Sequence, residues 1–213
     1  MEISENLKKI IEPERVRDSY IDRVSFASDA GFYYLVPEAV VHPNSEKEIQ
    51  ELFNFSQNHK IPLVFRAGGT SLSGQSITDG ILVEIGRFWK KISVEKEANL
   101  VRVQPGITGL MTNLHLKKYN KKIGPDPSSI NAAMMGGIIS NNASGMCCGV
   151  GQNSYHTIEH ILFILPDGKI YTTENKEDYR KFEFESAELF KTINEIRNQI
   201  LGNSELKQKI RAK

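Results

Sequence analysis

Apolar and polar positions change period several times along the chain, and each change marks an element. Leu7, Ile10 and Ile11 recur at three and four spacing, so residues 3–18 read as helical. After a loop at Ser25 to Gly31, FYYLVPEAVVHP (32–43) reads as extended structure interrupted by Pro37. Ser45 and Glu48 form a capping-box pattern, and Ile49, Leu52 and Phe53 supply the apolar face of a helix reaching about His59. The short apolar run Pro62 to Phe65 predicts a strand. ILVEIGR (81–87), KKISVEK (90–96) and LVRVQPG (100–106) predict three more, the last two separated by a polar turn at Glu97 to Asn99. Ile107 to Tyr119 predicts a helix, and IEHILFILPDGKIYTT (158–173) a hairpin turning at Pro166-Asp167-Gly168. From about Ser186 to Lys213 the pattern is a charged helix with Leu189, Ile193, Ile196, Ile200 and Leu201 on one face. That face needs a packing partner, and the chain reads as an early portion of a longer protein.

Two segments depart from this patterning. The strand at 62–65 runs into RAGGTSLSGQ (66–75), and GPDPSSINAAMMGGIISNNASGMCCGVG occupies 124–151; together they hold nine of the chain's sixteen glycines. The first is not a Walker A loop, because no Gly-Lys-Ser/Thr ends it, and it lacks the GxGxxG spacing of a Rossmann turn. Magnesium-dependent phosphoryl transfer is therefore disfavoured. What remains is a run of backbone N–H groups that glycine leaves free to converge on an anion. Arg66 is the only charged side chain in the first segment and Asp126 the only one in the second. Charge neutralisation would then rest on amide dipoles, helix N-termini and the hydroxyls of Thr70, Ser71 and Ser73. Such a site suits a phosphate carrying a large, flat, mostly apolar ring. Two tight turns with no ligand would be the plainer reading, and two such loops in one domain count against it.

Composition narrows the classes further. Twenty-seven basic and twenty-six acidic residues, spread along the chain, leave no electrostatic footprint for nucleic acid. No apolar run approaches the roughly 20 residues of a membrane span, and the N-terminal stretch is too charged for a secretory signal. The expectation is a cytoplasmic protein. Cys147 and Cys148 are adjacent, which rules out a disulfide framework and predicts two thiols in a packed loop, with Met134, Met135 and Met146 packing beside them. His156 and His160 have the spacing of a helical zinc pair, but the strand-like ILFIL that follows breaks that geometry, so no metal site is expected. Asp126, with proline on both sides, predicts a rigid turn whose carboxylate bonds nearby amides. Phe88 and Trp89 predict core or lobe-interface packing.

Taken in order, AVVHPNSEKEIQELFNFSQNHKIPLVFRAGGTSLSGQ, ILVEIGR, VRVQPG, GPDPSS, GGIISNNASG and LPDGKIYTT resemble the FAD-binding domain of the vanillyl-alcohol oxidase, or PCMH, type over roughly residues 35–175. The wording is most similar to the N-terminal flavin domain of long FAD and iron-sulfur dehydrogenases that oxidise D-2-hydroxy acids such as D-lactate, glycolate or 2-hydroxyglutarate. The resemblance implies an α+β, two-lobed domain over 35–213, truncated before the substrate cap and preceded by a helical segment at 1–34, with FAD in the cleft between lobes. It implies that Ala67, Gly68, Gly69, Thr70 and Ser71 wrap the FAD diphosphate with their amides, with Arg66 also binding the cofactor and Gly74 and Gln75 continuing the wall towards the ribityl chain and ring. Pro125, Asp126, Pro127, Ser128 and Ser129 would line the flavin from the second loop. Gly136 and Gly137 would allow close approach to the diphosphate, Ser140, Asn142, Ala143 and Gly145 would complete that loop, and Ile158 would lie near the adenine.

Departures from the family pattern shape the remaining expectations. Many relatives attach FAD through a histidine where this chain has Thr70, so the FAD is expected to be non-covalent. The tyrosine-glycine pair common before the last strand is represented only by NSYH (153–156). Catalytic residues and any iron-sulfur cluster would lie beyond this chain. The partner implied is a small 2-hydroxy acid, with the electron acceptor open and peripheral attachment to the inner membrane face open for the full-length protein. A nucleotide-binding module without redox turnover, and a non-dehydrogenase flavoenzyme of the same fold such as an alkyl ether-lipid synthase, are the alternatives.

Overall fold

A computed structural model describes residues 2–211, which divide into two compact units. The first runs to Glu159 and includes Leu165–Lys169; the second comprises His160–Ile164 and the chain from Ile170.

The first unit begins with α1 (Glu2–Leu7), far shorter than the apolar spacing over 3–18 predicts. Pro13 opens a single 3-10 turn instead, and the chain then enters β1 (Val16–Arg17) and α2 (Tyr20–Ser25). β2 (Ala39–Val41), α3 (Glu46–His59), β3 (Leu63–Arg66) and β4 (Ile81–Glu84) complete a four-stranded sheet in the order β1-β2-β4-β3. β2 and β3 both run parallel to β4, and β1 is antiparallel to β2. Residues 39–41 and 81–83 are fully buried, as their unbroken apolar runs require of central parallel strands.

Ser45 caps α3 by accepting from Glu48 N at 3.3 Å, but the expected reciprocal bond is redirected. The Glu48 carboxylate instead accepts from Asn44 N and takes a bidentate pair of bonds from the buried Arg15. Arg15 also donates to the His42 carbonyl, tying the N-terminal stretch to the sheet. Trp89 reaches the same region, its Nε1–H donating to Pro43 O at 2.8 Å, whereas Phe88 stays exposed.

Beyond β4, the hairpin of β5 (Ile92–Glu95) and β6 (Leu100–Val103) packs with α4 (Gly109–Leu116) and α5 (Met135–Ser140). Ile107, Leu116, Ile123, Met135 and Ile138 form their core, with Val94 and Val103 against it. α6 (Ser154–Thr157) closes this part of the chain. The turn Leu165–Lys169 is held by α3, where Gln50 and Gln57 donate to the carbonyls of Gly168 and Pro166.

In the second unit, β7 (Leu162–Ile164) and β8 (Ile170–Thr172) form the expected hairpin. It is followed by α7 (Lys176–Glu185), α8 (Ala187–Gly202) and α9 (Ser204–Arg211). Tyr171 is buried beside the rings of Phe163 and Phe182, and its hydroxyl meets Ser186 Oγ at 3.0 Å. The apolar face of α8 remains half exposed at Leu189, Ile193, Ile196 and Leu201. Among the described residues no helix is long and apolar enough to cross a membrane.

Candidate functional site

The site is built where β3 ends. Its parallel ladder with β4 stops at the Arg66–Glu84 register pair, and the last ladder bond runs from Ile85 N to Arg66 O. From Ala67 to Leu72 the chain leaves the sheet, and among the described residues none of these six backbone N–H groups donates to a protein acceptor. Ala67 to Ser71 are half-buried and Leu72 is exposed, so these amides are open to a ligand or to water. Gly69 (φ 62°) and Gly74 (φ 77°) lie in the left-handed region, where a side chain is strained.

The second glycine segment meets this loop directly. A Cβ on Gly68 would strike the carbonyl oxygen of Ala132, and Gly137 comes within 4.0 Å of the Ala67 methyl when given one. Gly136 is pinned elsewhere: its N–H donates to Pro105 O at 2.9 Å, and an added Cβ would lie 2.7 Å from the Pro105 ring. The amides of Asn142 and Ala143 are likewise committed, to Ile139 O and Ile138 O. These three therefore shape the loop, while Ser128, Ser129, Gly137 and Gly145 keep amides with no protein acceptor among the described residues.

The structure brings Ala67, Gly68, Ala132 and Gly137 together, as well as Asp126 and Gly145. Gly145 packs so closely on Asp126 that a Cβ there would overlap its carboxylate and carbonyl. Pro125 is buried beside them. The expectation that the Asp126 carboxylate bonds nearby amides is corrected: its Oδ1 is buried and has no hydrogen-bond partner. Met146, expected to pack the loop, is 98% exposed, whereas Met135 is in the core and Met134 abuts Gly86. Cys148 is buried, with its thiol against Gly149 O at 3.2 Å, and Cys147 is exposed. Ser140 ends α5, and Ile158 follows α6 in half-buried, extended backbone.

Arg66 is occupied in another direction. Its Nη1 donates to Ser28 O at 2.7 Å and Phe26 O at 3.3 Å, and the guanidinium lies over the Phe26 ring. Burial lowers its pKa below the usual arginine value, with Asp29 and Glu84 opposing that shift. Glu84 itself accepts from Gly86 N at 2.7 Å and pairs with His42 Nδ1 at 2.8 Å.

Residues outside the glycine segments also position the site. Ser154, buried, shares its one hydroxyl proton between Ile138 O and Ala143 O, and Tyr155 N–H donates to Asn142 Oδ1 at 2.9 Å, which holds Asn142 at φ 45°. NSYH is thus a clamp on the second loop, and the readable signal was the cap in which Asn153 accepts from His156 N. Buried side-chain oxygens without a partner occur at Asp29, Ser76 and Asp126. Asp126 lies in the second loop, Ser76 directly follows the first, and Asp29 faces Arg66. Unpaired amides, close-packed glycines and an unpaired carboxylate oxygen together fit a ligand with anionic oxygens and hydrogen-bond donors, as a dinucleotide carries. Among the described residues no group of three or more His, Cys, Asp or Glu could hold a metal.

Known proteins add to this geometry. A family model described as FAD binding domain matches residues 37–174. D-2-hydroxyglutarate dehydrogenase of Escherichia coli (strain K12) is 33% identical over 161 residues, which is 73% of this chain and 16% of the relative. Glycolate oxidase subunit GlcD of Bacillus subtilis (strain 168) is 32% identical over 148 residues, 68% of this chain and 32% of the relative. A solved alkyldihydroxyacetonephosphate synthase superposes with a TM-score of 0.69 at 19% identity, covering 83% of this chain and 36% of that one. The match thus spans a minor part of each of these proteins, and the last comparison speaks to fold alone.

Proposed function

Because this chain belongs to the FAD binding domain family, we propose that its two glycine segments hold FAD without a covalent bond and that it is the flavin-binding portion of a D-2-hydroxy-acid dehydrogenase. The observation that carries the proposal is the run of six unpaired amides leaving β3, packed at Gly68 against the backbone of the second loop. Amides of residues 67–72 would receive the diphosphate, and those of Ser128, Ser129, Gly137 and Gly145 would reach it or the ribityl chain from the facing side. Asp126 Oδ1 would accept from a donor of the cofactor. Because amide dipoles carry no net charge, this arrangement binds an anion with little cationic help.

Bound there, FAD supplies the acceptor for a hydride from the α carbon of the 2-hydroxy acid, whose hydroxyl proton passes to a base as the 2-oxo acid forms. The chain's own part is to bind and orient the cofactor, and no residue of it is assigned as the base. The substrate class is supported by the two curated relatives, which are a D-2-hydroxyglutarate dehydrogenase and a glycolate oxidase subunit. The test is a visible absorption spectrum of the purified chain before and after adding FAD and desalting. A flavin spectrum that survives desalting supports the site. A chain that desalts colourless after saturation with FAD sinks the claim that these two loops suffice.

A further inference from the structure

Residues 26–35 precede the matched family region and fold back on the first glycine loop. Ser28 and Tyr34 form an isolated antiparallel bridge, and Leu35 N–H donates to Ala27 O at 2.9 Å, so the segment is a small strap with its own internal bonds. Asp29 turns it, its Oδ1 accepting from Gly31 N at 2.8 Å.

Three contacts fix the strap to the loop. Arg66 donates to the carbonyls of Phe26 and Ser28 and stacks on Phe26. Gly31 lies so close to the Leu72 carbonyl that a Cβ would come within 2.6 Å of its oxygen. The Tyr33 ring covers Gly74, 3.3 Å from where a Cβ would stand. Tyr33, Tyr34 and Leu35 on one side and Ser73, Gly74 and Ile77 on the other line an open, shallow groove of about 250 Å³ beside the loop.

The guanidinium's remaining face lies under Gly69, where an added Cβ would sit 2.5 Å from Nη2 and 2.8 Å from Nε. That explains a glycine at a position already favouring positive φ, and it sets the guanidinium between the loop and the strap, with Nη1 on the strap carbonyls.

We infer that the strap is a wall of the flavin site and that Arg66 is a positioning residue which latches it to the first glycine loop instead of neutralising the diphosphate. The inference rests on the reading of the two loops as a flavin site. The two roles differ in what a lysine can replace. A point charge near a phosphate tolerates Arg66→Lys, whereas a planar guanidinium that lies over the Phe26 ring while its Nη1 reaches two carbonyls does not.

The experiment compares the chain with Arg66→Lys and Arg66→Met by FAD titration at low and high salt, and by amide hydrogen exchange of residues 26–35 without flavin. Both variants should lose FAD affinity by about tenfold or more, with the wild-type salt dependence retained, and exchange in the strap should quicken by about tenfold. Arg66→Lys binding like wild type, with only Arg66→Met weakened and its salt dependence reduced, would overturn the latch, as would strap exchange unchanged in both. Tyr33→Ala guards against a variant that fails to fold, since Tyr33 is more than half exposed. It should weaken FAD several-fold at unchanged far-UV circular dichroism, and wild-type affinity in this variant counts against the wall. If the wild-type chain binds no FAD, the flavin reading and the wall fall together, while the exchange comparison still decides whether Arg66 latches the strap.

Discussion

Gly68 and Ala132 meet backbone to backbone. A methyl on Gly68 would collide with the Ala132 carbonyl oxygen, and would lie 3.1 Å from its carbon and 3.4 Å from Ala133 Cα. Neither partner can retreat through a side-chain rotation, so Gly68→Ala must separate the two glycine segments. Overpacking of this kind costs about 1–3 kcal/mol. The expected result is a lowered urea midpoint with FAD affinity reduced by more than about tenfold; a variant that binds FAD normally would show that the contact does not set the site.

Thr70 offers a hydroxyl where many relatives of the resembled family carry a tethering histidine. Acid precipitation of the FAD-loaded chain should therefore leave the yellow colour in the supernatant. Flavin in the washed pellet would defeat the non-covalent assignment.

Much of the frame that positions these loops is legible in the sequence, because local signals agree with tertiary ones there. The apolar run before Arg66, the Ser45 cap and the turn at Pro166 to Gly168 each announce an element in their own local residues, and distant contacts then hold it. What escapes local reading depends on distant partners. Nothing near Arg66 in the sequence signals that its Nη1 donates to Phe26 O and Ser28 O, 40 and 38 residues away. Glu48 reads as half of a capping box until Arg15 claims it. The charged stretch KEDYRKFEFE hides α7, although Asn175 accepting from Asp178 N at 2.7 Å is a cap of the ordinary kind. The helical spacing at 3–18 is overruled by Pro13 and by the pairing of Val16 with Val41 in the sheet.

Arg15 and Glu48 also give stability a pH dependence. Burial alone would raise the Glu48 carboxyl, but the hydrogen bonds from Arg15 and the Asn44 amide outweigh it and hold the group below the usual glutamate range. A depressed folded pKa contributes stability in full above the unfolded value of about 4.3, and that contribution is lost as pH falls through the folded value. Glu48→Gln leaves the buried Arg15 charge poorly paired and should cost about 3 kcal/mol at pH 7. The gap between variant and wild type in urea unfolding should narrow below about pH 4; a gap independent of pH would contradict the pairing.

Asp126 should separate binding from stability. Its Oδ1 is buried against Gly145 with no hydrogen-bond partner, an arrangement that costs the ligand-free fold about 1–3 kcal/mol. A fold keeps such a group when a ligand supplies the missing donor, which is the usual trade between stability and function at a site. Asp126→Asn preserves the shape but removes the charge, and its amide can turn an N–H₂ towards that donor. The variant should unfold at equal or higher urea concentration than wild type without FAD, yet bind FAD about tenfold more weakly. Loss of stability together with unchanged FAD affinity would mark Asp126 as a structural turn residue and remove it from the site.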